Sequence, residues 1–481
     1  MGRSTHKTFG EHPREECGVV AVYSQRDQTS RLAFFGLYAL QHRGQESAGI
    51  ASADLTDIHV HTDMGLVSQV FREDSLSHLQ GNLVIGHTRY STTGSSNACN
   101  AQPIVVNGIH GKLALANNGN IINAAKLKSQ QQLEWNCTYT STTDSEVLAY
   151  QLANSPGVDW HDRAKQFMRS VQGAYSLVAL TKDTMIAARD PLGIRPMCLG
   201  KWDDGWIIAS ETCALDHLGA EFIKELEPGE IITVTDGELK SSLYTLTPAP
   251  RKLCVFELIY FARPDSKLDN NLVYSVRKQL GAQLAREHPV DADLVIGVPD
   301  SSTSAAVGYS VESGIPFSDG LIKNRYVGRT FIEPEQSLRD IGVRQKFNPL
   351  MEVIQGKRLV VVDDSIVRGT TTPHVVNLLK KSGATEVHLR VCAPPIKHPC
   401  YMGVDMASRE ELIASSKTVS EIKDYIDCDS LGYLSVENLL KVVDTDSGGF
   451  CDACFTGNYP IPIQLEMTKL SLEETEESQV R

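Results

Sequence analysis

Leu359-Val360-Val361-Val362-Asp363-Asp364-Ser365-Ile366-Val367-Arg368-Gly369-Thr370-Thr371-Thr372 runs from branched apolar residues into two adjacent carboxylates and then a Gly/Thr-rich turn. The apolar run reads as a buried strand and the remainder as a polar loop at its carboxyl end. Pro373, whose ring fixes a helical φ and which needs no N–H partner, starts a helix through Lys381, with Gly383 beyond its end. The exposed N–H groups of such a helix start suit a phosphate. Two carboxylates beside a phosphate repel it unless they meet ribose hydroxyls or a hard cation such as Mg²⁺, which takes oxygen ligands. A sugar phosphate carried with a metal ion satisfies both halves. The G-x-x-x-x-G-K-[ST] pattern of ordinary NTPases is absent.

The stretch resembles the motif by which phosphoribosyltransferases bind 5-phosphoribosyl-1-pyrophosphate (PRPP). Upstream, a helix is expected from Asn270 to His288, and Asp293-Leu294-Val295-Ile296-Gly297-Val298-Pro299-Asp300-Ser301 is a second strand ending in polar residues. Strands alternating with helices predict an α/β domain with a mainly parallel sheet and ligands at the strands' carboxyl ends. Between the two strands lies Lys323-Asn324-Arg325-Tyr326-Val327-Gly328-Arg329, followed by Arg339, Arg344 and Lys346. A solvated loop is one reading of such a charge run. Its place between the site strands favours a flap that closes on pyrophosphate and shuts water out. The segment resembles the flexible PRPP loop of amidophosphoribosyltransferases. That resemblance implies PRPP contacts for Lys323, Arg325, Tyr326 and Arg329, and places Asp363, Asp364 and Ser301 at ribose and Mg²⁺. It assigns the 5′-phosphate to Ser365, Arg368, Gly369, Thr370 and Thr371.

Composition narrows the class. The 481 residues have 41% hydrophobic and 22% charged side chains and a net charge of −13. A soft prior of about three domains follows, reduced to two if the α/β units are large. Acidity argues against nonspecific nucleic-acid binding and leaves room for a local basic pocket around an anionic small molecule. No apolar run approaches the roughly 18 residues of a membrane span, and the N-terminus lacks a signal-peptide core, so a cytoplasmic protein without a membrane anchor is expected. Eleven cysteines scattered over the chain do not read as a disulfide framework.

Residues 1–16 are polar and charged and read as a leader. Cys17 then opens the strand Gly18-Val19-Val20-Ala21-Val22-Tyr23. A buried core thiol is the ordinary reading of a lone cysteine. Further on, an apolar helical run from Leu32 leads to Leu40-Gln41-His42-Arg43-Gly44-Gln45-Glu46-Ser47, and both Gly86-His87-Thr88-Arg89-Tyr90 and Leu115-Ala116-Asn117-Asn118-Gly119 put polar residues at strand ends. Taken alone, Asn118-Gly119 is a common hairpin turn, Asp144 is a helix N-cap before Val147-Leu148, and Arg89 is a surface charge.

Together with Thr143-Asp144-Ser145-Glu146, Gly173-Ala174-Tyr175-Ser176, Asp190-Pro191-Leu192-Gly193 and Ala209-Ser210-Glu211, these segments resemble the glutaminase domain of class II glutamine amidotransferases. The resemblance implies an α+β N-terminal-nucleophile (αββα) fold over residues 17–240. Its chemistry explains the residue types: a thiolate attacks the glutamine amide while a weak base moves the proton. Once a leader is removed, Cys17 supplies both groups, since a free α-amine has a pKa near 7.7–8.0, about right for a base. The resemblance gives Arg89 the glutamine carboxylate, Asp144 its ammonium, and Asn118 with the Gly119 N–H the oxyanion hole.

A linker is expected at 241–253, a phosphoribosyltransferase domain at 254–440, and a segment at 441–481 carrying Cys451-Asp452-Ala453-Cys454 and an acidic tail. A lone C-x-x-C reads as redox, zinc or iron–sulfur. The two halves together are similar to the amidophosphoribosyltransferase family, in its iron–sulfur subgroup with a cleaved propeptide. The subgroup places a [4Fe–4S] cluster on Cys254, Cys400, Cys451 and Cys454. Spacing leaves Cys392 and Cys428 as rival ligands and a zinc Cys₄ site as a rival centre. Cys99, Cys137, Cys198 and Cys213 read as core thiols. The family implies ammonia transfer from glutamine to PRPP, yielding 5-phosphoribosylamine, with purine nucleotides as feedback inhibitors and a homotetramer. The alternatives are a class II amidotransferase with a different acceptor, or a catalytically dead purine-nucleotide sensor.

Overall fold

The computed structural model describes residues 17–26, 28–90, 96–247, 249–324, 347–406, 408–443 and 449–463. The leader, residues 325–346 with the expected flap, and the acidic tail lie outside the described residues.

Two antiparallel sheets face one another in the first half. One has seven strands in the spatial order Glu221–Glu225, Cys198–Trp202, Gly205–Ala209, Gly18–Tyr23, Leu83–Arg89, Ser47–Ala53, Ile58–Met64. The other has six, in the order Glu238–Leu243, Glu230–Thr235, Thr184–Arg189, Gly173–Leu180, Gly111–Ile121, Ile104–Gly108. The alternation of a strand puts successive side chains on opposite faces. Val19 and Ala21 therefore join Ala114, Ala116 and Val178 between the sheets, while Val20 and Val22 pack outward against Leu37 and Leu215 of helices Thr29–Ala39 and Thr212–Leu218. On the far side, Leu113 and Leu115 meet Val147, Leu148 and Phe167 of helices Asp144–Asn154 and Trp160–Ser170. This is the αββα sandwich expected from the resemblance.

The second half holds a four-stranded parallel sheet, Leu294–Gly297, Arg358–Asp363, Glu386–Val391 and Ser430–Tyr433. Both its faces are covered, which explains the unbroken apolar run. Val360 and Val362 pack with helices Val273–Glu287 and Thr303–Ser313, and Leu359 and Val361 with Thr372–Lys381 and Val419–Ile426. The two helices on the first face approach closely: a Cβ on Gly281 would lie 1.8 Å from the Ala305 carbonyl oxygen, and one on Gly308 1.8 Å from that of Lys278.

Two element boundaries differ from expectation. The helix expected from Asn270 begins at Val273, because Asp269 and Asn270 take positive φ (55° and 58°) and turn a short hairpin between Lys267–Leu268 and Asn271–Leu272. Residues 241–243, expected in the linker, finish strand Glu238–Leu243, which is paired along its length with Glu230–Thr235. Leu253–Cys254 pairs in parallel with Phe450–Cys451, so the end of the described chain returns to the start of the second half. The core is continuous across the junction, with Ile122, Ala174 and Ile194 packed among Cys254, Val255 and Phe256.

Candidate active sites and the cysteine cavity

Cys17 stands at the start of the central strand of the first sheet, where Gly18 pairs with Thr88. Its thiol donates to the Tyr90 carbonyl at 3.3 Å, and its own carbonyl accepts from Arg43 Nε at 3.1 Å. Arg89 ends the neighbouring strand and is only 2% exposed, with Glu46 3.5 Å away, so it is not a surface charge. His87, two residues earlier, reaches across to the second sheet, where its Nε2 meets the Asn117 carbonyl at 3.1 Å. Burial drives the His87 pKa down to about 3. The ring is therefore neutral at pH 7, and a carbonyl acceptor assigns the proton to Nε2.

That bridge sets Asn118 and Gly119 beside the Cys17 end of the first sheet. They lie within strand Gly111–Ile121, opposite Ser176 and Tyr175, and not in a hairpin turn. Gly119 has φ +147°, and a Cβ there would fall 2.1 Å from the Ala174 carbonyl oxygen, so backbone contact excludes a side chain. Asn118 Nδ2 is buried without a hydrogen-bond partner among the described residues. Such a donor costs about 1–3 kcal/mol until an acceptor arrives. Asp144 is the first residue of its helix rather than its cap, and its Oδ2 accepts the Ile121 N–H at 3.0 Å. Burial raises its pKa to about 6, opposed by the Ile121 N–H and the positive charge of Arg89. A guanidinium and a carboxylate within electrostatic reach, near an unused amide donor and a thiol, suit a zwitterionic amino acid whose side-chain carbonyl is attacked.

Arg43, Glu211 and Glu257 carry no role readable from the sequence. Arg43 Nη1 donates to Glu211 Oε1 at 2.5 Å and to Glu257 Oε2 at 3.1 Å, and its Nη2 to Glu257 Oε1 at 2.8 Å. All three side chains are 0% exposed. Glu211 also meets His42 at 2.7 Å, the Arg263 N–H at 2.9 Å and the Ser266 hydroxyl at 2.6 Å. Its pKa lies well below the usual range: burial works against the charge, and His42 and Arg43 overcome it. The partners sit up to 214 positions apart, so no local pattern could announce them.

In the second half the acid pair ends strand Arg358–Asp363, at the carboxyl edge of the sheet. The Asp364 carboxylate accepts the Ser365 hydroxyl at 2.7 Å and the Ser301 hydroxyl at 2.6 Å, and Asp363 Oδ1 accepts the Asp364 N–H at 2.9 Å. Ser302 approaches Asp363 Oδ1 at 3.3 Å. Ser301 is thus brought to the pair from the turn that follows the neighbouring strand Leu294–Gly297. Gly369 turns the loop with φ +70°, where a Cβ would meet Ile413 Cδ1 at 2.5 Å. Thr371 caps and Thr372 opens the following helix, with Pro373 in its first turn. Arg368 pairs with Glu411 at 2.7 Å and Lys323 with Asp300 at 3.2 Å. Thr370 is exposed beside them. Arg325, Tyr326 and Arg329 lie outside the described residues.

Cys254, Cys400, Cys451 and Cys454 line one cavity, with Phe256, Tyr401 and Tyr459 among its walls. Cys254 and Cys451 are paired in register. Cys392 does not line it: its N–H is bonded to the Asp363 carbonyl at 2.9 Å, behind the acid pair. Cys428 packs in the core on the other face of the parallel sheet. Among the described residues no three His, Cys, Asp or Glu side chains are grouped so as to hold a single metal ion. Of the cysteines expected in cores, Cys198 and Cys213 are buried, Cys137 is half-buried and Cys99 is exposed in the turn Ala98–Asn100. Among the described residues no helix is long and apolar enough to cross a membrane.

Comparison with known proteins agrees with both halves. A family model described as "Glutamine amidotransferase domain" matches residues 87–217. The chain is 49% identical over 471 residues to the amidophosphoribosyltransferase of Synechococcus elongatus, covering 96% of this chain and 95% of the relative. To the amidophosphoribosyltransferase of Bacillus subtilis it is 46% identical, covering 93% of this chain and 95% of that one. The structure is similar to that of the B. subtilis glutamine PRPP amidotransferase complexed with ADP and GMP, with a TM-score of 0.88 at 45% identity over 94% of this chain and 99% of the other. With near-complete coverage at this identity, the chain belongs to the amidophosphoribosyltransferase family, the glutamine-dependent pentosyltransferases of the first step of purine biosynthesis.

Proposed function

We propose that Cys17 is the nucleophile on glutamine and that the ammonia it releases reaches C1 of PRPP inside the protein. The observation that carries this reading is the unpartnered, buried Asn118 amide on the strand that His87 ties to the Cys17 side of the molecule. In the proposed step the thiolate attacks the glutamine side-chain carbonyl, and the oxyanion takes the Asn118 amide and the Gly119 N–H. Collapse to a glutamyl thioester expels ammonia, to which the Cys17 α-amine hands the proton it took from the thiol. Water then hydrolyses the thioester to glutamate. Arg89 binds the α-carboxylate and Asp144 the α-ammonium. The free amine requires that residues 1–16 be removed, which is the proposed role of the leader as a propeptide.

At the second site Ser365, Arg368 and the Gly369-Thr370-Thr371 turn hold the 5′-phosphate, and Asp363 and Asp364 hold the ribose. Ammonia attacks C1 as pyrophosphate leaves, giving 5-phosphoribosylamine. Asp363 and Asp364, with Ser301, fit a hard cation by their oxygen chemistry, and Mg²⁺ would offset the charge of the departing pyrophosphate. Lys323, with Arg325, Tyr326 and Arg329, is assigned to the same group. The four thiols of the cavity fit a [4Fe–4S] cluster by donor type, and such a cluster would tie the start of the second half to its end. Zinc is the chemical rival for these thiols. Purine-nucleotide feedback is supported by the ADP and GMP complex of the similar B. subtilis enzyme. A homotetramer and a cytoplasmic location complete the proposal.

Steady-state assay tests it: pyrophosphate release from PRPP with glutamine or with ammonia as nitrogen donor. Cys17→Ala is expected to abolish the first and keep the second. Loss of both would overturn the two-site mechanism, and retention of both would remove Cys17 from it.

A further inference from the structure

The buried ion group around Arg43 spans the junction between the two halves. Arg43 binds the Cys17 carbonyl on one side and grips both oxygens of Glu257 on the other. Glu257 opens a π-helical turn, Glu257–Phe261, at the entrance to the second half. Arg195 lies 3.8 Å from the same carboxylate. The turn is held from below by a second buried arginine: Arg277 donates to the Leu258 carbonyl at 2.9 Å and to the Ala262 carbonyl at 2.7 Å, bracketing it. Arg277 belongs to helix Val273–Glu287, which packs against the face of the parallel sheet bearing Val360 and Val362. Burial lowers the Arg277 pKa, and the negative charge of Asp364 in the acid pair works in the opposite direction.

We propose that Arg43 and Glu257 are positioning residues, through which the π-helical turn of the second half sets the backbone of the glutaminase nucleophile. This rests on the reading of Cys17 as that nucleophile.

The physical case has three parts. A carbonyl held by a guanidinium fixes the Cys17–Gly18 peptide plane and so the Cα from which the α-amine and thiol project, while the Tyr90 carbonyl takes the thiol. Two charges taken fully out of water are costly unless their geometry is held by further bonds. Here those bonds come from both halves, since Glu211 on the same guanidinium also takes the Arg263 N–H and the Ser266 hydroxyl. Finally, buried hydrogen bonds run without a break from Cys17 through Arg43, Glu257 and the turn to Arg277, so a shift of the turn is passed to the nucleophile rather than absorbed by solvent. A merely cohesive ion pair would not need to end on the carbonyl of the attacking residue.

Glu257→Gln keeps the shape and removes the charge. In the full-length enzyme, kcat of glutamine hydrolysis is expected to fall about tenfold or more while KM for glutamine moves less than about threefold, because Arg89 and Asp144 are untouched. Ammonia-dependent synthesis should stay within about twofold of wild type, reporting an intact second site. Glu257→Asp, which restores the charge at a shorter reach, should recover part of kcat. An unchanged kcat would overturn the proposal, as would parallel loss of ammonia-dependent activity, the mark of a purely structural role. Cys17→Ala assayed alongside separates the cases: glutamine hydrolysis surviving in Cys17→Ala defeats the nucleophile assignment itself, whatever Glu257 does.

Discussion

Asp144 Oδ2 takes the Ile121 N–H at 3.0 Å, two residues beyond Gly119 on the strand that carries the proposed oxyanion donors. One hydrogen bond thereby joins the proposed ammonium subsite to the strand of the proposed oxyanion hole. Burial raises the Asp144 pKa from 3.8 to about 6. Only the ionised carboxylate pairs with the glutamine ammonium, so KM for glutamine should be flat above about pH 7 and climb up to tenfold per unit below pH 6. The folded pKa is raised, so this group's contribution to stability is fully present below 3.8 and is lost as pH rises through about 6. Asp144→Asn should therefore melt no lower than wild type at pH 7.5 while losing glutamine binding. Calorimetry beside initial rates checks both signs.

Asn118→Ala removes a donor that no described residue uses. The kcat for glutamine hydrolysis should drop about 10²–10³-fold, the range for one oxyanion donor. KM should change little, because the loss is confined to the charge that develops during attack.

Ser301 reaches Asp364 at 2.6 Å from the turn after the neighbouring strand. Ser301→Ala should raise the Mg²⁺ concentration for half-maximal ammonia-dependent synthesis about tenfold, the low end for losing a group that orients a metal-binding carboxylate. Glutamine hydrolysis measured without PRPP should not respond. Titration of Mg²⁺ in the two assays distinguishes these outcomes.

Iron and acid-labile sulfide analysis tests the cysteine cavity. Cys451→Ser should purify with little of either, and Cys428→Ser with the wild-type amount, since Cys451 lines the cavity and Cys428 packs in the core on the other face of the sheet. Zinc in place of iron and sulfide would favour the rival centre.

Mass spectrometry of the active protein should give a chain beginning at Cys17. An intact leader on an enzyme fully active with glutamine would contradict the α-amine as base, because an acylated amine has no basic lone pair to offer.

The sequence by itself determined the two fold types and the order of the halves. The unbroken apolar runs at Gly18–Tyr23 and at Leu359 to Val362 are local signals of strands covered on both faces, while the sandwich of the first half was expected from the resemblance of its motifs. The acid pair followed by Gly369 and a helix start is equally local, and its expected shape is what the structure contains. Local reading failed where partners are distant. Asn118-Gly119 looks like a turn until strand Gly173–Leu180 is laid beside it. Asp144 looks like a cap until the Ile121 N–H claims it. Arg43, Glu211 and Glu257 carry no spacing rule at all, and the tertiary structure alone decided that they meet. Their placement is set by exclusion of water from the junction, which leaves each buried charge no partner except those that the fold supplies.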